Sequence, residues 1–194
     1  MPVADRRSGE RYVSVLKICR AVIGERDQLC LVRNISSKGM KIDLPGRVNP
    51  DDRITIELRS DRILHGTIRW TQGQACGVEL DETVNLNKML DNKPPSGLLK
   101  RRPRTPRFER SAPLSIKHDG GTAAGVLYDI SLQGLCVEAS FLCKVGDRVV
   151  VTIAGLPPRS ALTRWVRGER IGLHFERPWP FADLAVWLDN HNDL

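Results

Sequence analysis

Twice in this chain, arginines precede the same polar phrase. Arg6, Arg7 and Arg11 come before Asn34-Ile35-Ser36-Ser37-Lys38-Gly39, and Arg107 and Arg110 come before Asp129-Ile130-Ser131-Leu132-Gln133-Gly134. A guanidinium presents paired planar donors that match a phosphate or the O6/N7 edge of guanine, and its flat face stacks on a purine. Asn34 or Asp129 can accept from the remaining polar edge of a base. Ser36 or Ser131 can bond beside it, and Gly39 or Gly134 lets backbone or ligand come close. Together these groups have the chemistry to hold a guanine nucleotide.

Other chemistry finds little support. The chain has no Gly-x-Ser-x-Gly elbow, no Gly-x-x-x-x-Gly-Lys loop and no His-Glu-x-x-His, so catalysis is not expected. Cys19, Cys30, Cys76, Cys136 and Cys143 are odd in number and form no Cys-x-x-Cys pair, and His65, His118, His174 and His191 lack ligand spacing. Neither a disulfide framework nor a metal site is indicated, and the thiols read as small buried hydrophobes in a reducing compartment.

The net charge of +7 favours an anionic partner. Six of the eleven residues from 100 to 110 are cationic. Such density can neutralise nucleic-acid phosphates, but few aromatics and no reading motif disfavour direct nucleic-acid binding. No apolar run reaches the eighteen or so residues of a membrane span, and the N-terminus has no secretory segment, which places the chain in the cytoplasm.

The elements that must position these residues follow from alternation. Asp129 lies 95 residues after Asn34, as do Asp147 after Asp52, Trp165 after Trp70 and Gly172 after Gly77. A constant offset is a duplication, so two similar domains stand in tandem: 1–92 and 105–194, with a Pro-rich linker over 93–104. In the first, period-two runs predict strands over 12–18, 29–32, 40–44, 54–58, 63–70 and 76–80, with a turn at 24–27 and the phrase 34–39 as a loop. Strands over 112–117, 126–129, 135–138, 148–153, 161–166 and 171–175 repeat the plan. Short strands at this spacing predict an all-β antiparallel barrel or sandwich. Residues 82–90 and 180–188 read as short helices, the second with apolar positions 181, 184, 185 and 188 on one face. Trp70 and Trp165 occupy matching positions in the fifth strand of each repeat, and a shared place in the core explains them better than a stacking platform.

With Arg7-x-x-x-Arg11 ahead of Asn34-x-Ser36-x-x-Gly39, the chain resembles PilZ domains, bacterial receptors for cyclic di-GMP. The resemblance covers nearly the whole chain and implies two tandem six-stranded antiparallel β-barrels, each with a short C-terminal helix. It further implies that Arg7 and Arg11 wrap the ligand from a leader segment while Asn34, Ser36 and Gly39 form the opposing wall. Arg6 resembles the extra arginine that accompanies a stacked pair of ligand molecules. The second repeat departs from the pattern: Pro106 stands where an arginine is required, and Arg107 is one residue short of the proper spacing from Arg110. Asp129, Ser131 and Gly134 keep the barrel half. The resemblance implies a non-enzymatic receptor with cyclic di-GMP as ligand and no cofactor, passing its state to a protein partner such as motility, pilus or exopolysaccharide machinery. The alternative is a PilZ-like adaptor in which one or both sites bind no nucleotide.

Overall fold

The computed structural model describes residues 13–59, 62–86 and 105–192. Arg6, Arg7 and Arg11, the linker over 93–104 and residues 87–90 of the first expected helix lie outside the described residues. The chain divides into two compact units: Met1–Glu25 with Cys30–Arg104, and Thr105–Leu194 with Arg26–Leu29.

The first barrel is closed by β1 (Val13–Ile23), β2 (Arg26–Ile35), β3 (Gly39–Asp43), β4 (Arg53–Arg59), β5 (Arg62–Gln72) and β6 (Ala75–Leu80) in the order β1-β2-β3-β6-β5-β4, and the first four residues of β2 are those that group with the second unit. Closure removes the unpaired edges that an open antiparallel sheet would expose. Alternate residues point inward, so Cys19, Ala21, Val32, Ile42, Ile54, Ile56, Ile68 and Val78 form the core. Each fully buried aliphatic of this kind stabilises the fold by about 1.5–3 kcal/mol. Cys19, Cys30 and Cys76 are buried free thiols, and burial helps push the Cys76 thiol up to about 11.

The second unit holds β7 (Phe108–Glu109), β8 (Pro113–His118), β9 (Gly121–Ser131), β10 (Gly134–Ala139), β11 (Arg148–Ile153), β12 (Arg159–Arg167), β13 (Arg170–Phe175) and α1 (Phe181–Asp189). Six strands close through the β9–β10 pairing, and β7 adds a short seventh strand alongside β9. The 95-residue offset carries through β2 to β6 and β9 to β13. The ends of the first strand keep it too, Val13 to Phe108 and Ile23 to His118, but the strand is interrupted ahead of Pro113, which has no amide hydrogen to continue a ladder, so that β7 and β8 replace the single β1. Helix α1 buries Leu184, Ala185, Trp187 and Leu188, and the Trp187 indole donates to the Ala154 carbonyl at 2.9 Å, as core packing of its apolar face predicts. Among the described residues, no helix is long and apolar enough to cross a membrane.

Candidate functional site

The repeated polar phrase is tighter than the expected six-residue loop, because Asn34 and Ile35 still belong to β2 and Gly39 already begins β3. Its turn is closed by Ser36. The Ser36 backbone N–H donates to the Gly39 carbonyl at 2.8 Å, and the hydroxyl donates to the same carbonyl and accepts the Gly39 N–H, both at 3.1 Å. Ser36 is buried, so its hydroxyl shapes the turn and does not project from it. Ser131 repeats the bond to the Gly134 carbonyl at 3.0 Å. Both turns are also pinned from behind in the same way: Leu80 and Val84 donate to the Lys38 and Ser37 carbonyls, as Phe175 and Trp179 do to those of Gln133 and Leu132. Gly39 is required by close approach, since a Cβ there would lie 2.8 Å from the Val78 carbonyl oxygen.

Asn34 does not act alone. The strand register aligns Asn34 with Lys41, Lys41 with Gly77, and Gly77 with Trp70, giving one row across β2, β3, β6 and β5. Strict alternation from Val32 and Ile68, which are core residues, would turn Asn34 and Trp70 inward. The register shifts between Val32 and Asn34 and between Ile68 and Trp70, so each strand carries a bulge just before the row. A bulge reverses the parity of the residues that follow and re-aims their side chains. Trp70 is therefore 43% exposed on the outer face, which corrects the core position expected for it. Its indole covers Gly77, where any Cβ would collide with the ring. Trp165 covers Gly172 in the same way, after a matching bulge, and is also only partly buried. The signal available in the sequence was the Trp and Gly pair recurring at the same offset.

The polar side chains of this ledge are Asn34 and Lys41, paired in register. Asn34's side-chain amide makes no hydrogen bond among the described residues, and the Lys41 ammonium lies 6.0 Å from the centroid of the Trp70 ring. The carboxylates near Lys41 are taken up elsewhere: Asp43 by Arg33 at 2.5 Å and Glu79 by Arg69 at 2.5 Å. The row thus offers an exposed aromatic face, a cation and an amide in sequence.

The second unit builds the same row from Asp129, Cys136, Gly172 and Trp165, but protein groups occupy it. Strand β7 pairs Glu109 with Asp129, and Arg107 reaches the Asp129 carboxylate at 2.5 Å. Arg107 is thus near the barrel half of the phrase despite its irregular spacing. Arg110 is directed elsewhere. Its side chain is 8% exposed, and its guanidinium donates to the Asp27 carboxylate at 2.6 Å and to the Asn192 side-chain oxygen at 2.7 Å, all within the second unit. Cys136 stands where the first unit has Lys41, and burial followed by the Asp129 charge raises its thiol above the ordinary range. A protonated thiol offers little to an anion. Among the described residues, no group of three or more metal-ligating side chains is present in either unit.

Comparison with known proteins places this geometry in context. No curated protein matches the chain. Similar solved structures include the PlzA protein of Borreliella burgdorferi in complex with c-di-GMP, at 11% identity, 95% coverage of each chain and a TM-score of 0.40. The inhibitor of motility MotI/DgrA of Bacillus subtilis is 13% identical, with 94% of this chain and 95% of that one covered and a TM-score of 0.39. YcgR of Escherichia coli in complex with c-di-GMP is 15% identical, with 86% and 79% covered and a TM-score of 0.34. Superpositions this loose carry no weight beside the sequence itself, in which the profile of the PilZ domain matches residues 5–92 and again residues 100–180. With both repeats matched over nearly their full length, the chain belongs to the PilZ domain family.

Proposed function

We propose that the first unit is a non-enzymatic receptor for cyclic di-GMP, in which one guanine is seated on the Asn34 to Trp70 row and the leader arginines Arg6, Arg7 and Arg11 close over the ligand. The observation that carries this reading is the row itself: two bulges bring an unpartnered amide and an exposed indole onto one outward face beside the Ser36–Gly39 turn. An indole is a general platform for a base, worth about 1–3 kcal/mol in stacking. Ordering of the arginine segment by the ligand then supplies the signal that a downstream protein reads. The chemistry is reversible binding, so no bond is made or broken.

The second unit supports a different reading, that of a protein-interaction module without nucleotide. Arg107 neutralises Asp129, Arg110 is committed to Asp27 and Asn192, and Cys136 replaces the lysine. A ligand there would have to displace two ion pairs before gaining any contact.

Isothermal titration of the whole chain with cyclic di-GMP tests both statements. Heat is expected at about tens of micromolar ligand or below, saturating at the capacity of one site, whether that site takes a single molecule or a stacked pair. Trp70→Ala is expected to weaken binding about tenfold, the equivalent of about 1.4 kcal/mol, through loss of stacking. Absence of heat from the unaltered protein would remove the receptor reading and leave the adaptor.

A further inference from the structure

Lys41 is the charged residue of the row, and the two-part signature does not include it. It lies between Asn34 on one neighbouring strand and the indole-covered Gly77 on the other. Its ammonium faces the Trp70 ring, and the carboxylates that would otherwise hold it, Asp43 and Glu79, are each paired with an arginine. The second unit, whose polar ledge is already occupied, has Cys136 at this position. The cation is thus specific to the ledge whose amide is unpartnered.

An ammonium has three donors and no acceptor, while a side-chain amide has both. On guanine, the O6 acceptor stands directly beside the N1 and N2 donors. Adenine has an amino donor in place of O6, so it presents a hydrogen where guanine presents a lone pair. Two adjacent side chains, one able to accept and one only to donate, complement the guanine edge in order and oppose adenine at the position the lysine faces.

We propose that Lys41 donates to O6 of the seated guanine while Asn34 accepts from its N1 and N2 edge, making Lys41 a residue that selects guanine over adenine. This rests on the receptor reading above. The bond would be short-range and directed at a neutral atom, unlike a contact with phosphate, whose attraction fades as salt screens it.

The test is titration of the full chain and its Lys41→Met and Lys41→Arg variants with cyclic di-GMP at about 0.05 and 0.5 M salt, with cyclic di-AMP as competitor. Lys41→Met is expected to weaken cyclic di-GMP binding about tenfold, by the same factor at both salt concentrations. Lys41→Arg, which also donates to O6, is expected to restore most of the loss, and cyclic di-AMP is expected to compete better against the Met variant than against the unaltered protein. An unchanged affinity in Lys41→Met would overturn the proposal. So would a loss that disappears at high salt, which would make Lys41 a counter-charge for phosphate. If the unaltered protein binds neither dinucleotide, the receptor reading fails first; if it binds cyclic di-GMP and Lys41→Met binds equally well, only the role of Lys41 fails.

Discussion

Phe108→Ala is expected to cost the second unit about 3–5 kcal/mol, the range for emptying a buried aromatic site. Phe108 is fully buried, yet it belongs to a strand of two residues with only two register pairs to β9. So short a ladder cannot hold itself, and the side chain anchors the segment. The same anchor sets Arg107 against Asp129 and starts Arg110 toward Asp27. Urea denaturation should show the transition of the second unit moving to lower denaturant while that of the first stays in place. Arg107→Ala, by contrast, removes a half-exposed ion pair and should cost less than about 1 kcal/mol. A Phe108→Ala cost as small as that of Arg107→Ala would mean that β7 is held by its charges and not by its ring.

Arg11→Ala is expected to weaken cyclic di-GMP binding by about a hundredfold or more, below detection at tens of micromolar ligand. Hydrogen bonds to a charged group contribute about 1.5–3 kcal/mol each, and one guanidinium can make two to a phosphate or to a guanine edge. Among the described residues of the row, none offers equivalent paired donors, because the Lys41 ammonium is a point charge and Asn34 is neutral. The affinity that remains measurable in milder variants should fall as salt is raised. Arg107→Ala is the matched control from the second unit. Titration heat that survives Arg11→Ala but vanishes in Arg107→Ala would move the site to the second barrel and reverse the roles assigned to the two units.

Much of this architecture is legible in the residues. Alternation places all twelve barrel strands, though it shortens some: β1 runs to Ile23, well past the expected end at 18, because Cys19 and Ala21 continue the inward period that the eye loses at Arg20. The 95-residue offset predicts not only the duplication but the matching turn bonds of Ser36 and Ser131. The apolar spacing of 181 to 188 correctly marks α1. Strand β7 was invisible, because two residues show no period and Phe108 stands alone among charges. The fate of Arg110 was hidden for another reason: its partners Asp27 and Asn192 are more than eighty residues away in sequence, and only the folded chain brings three polar side chains to one buried point.

The sequence by itself determined the two six-stranded barrels, their inward faces and the polar turn in each, since period-two hydrophobicity and turn-forming residues act locally. The tertiary structure decided which side chains share the ledge and where they point. Asn34 and Trp70 have the parity of core residues, and the extra residue that turns each outward is defined only by its register against a neighbouring strand. Register is a property of pairs of strands. No reading of one strand at a time can place an indole, an ammonium and an amide side by side.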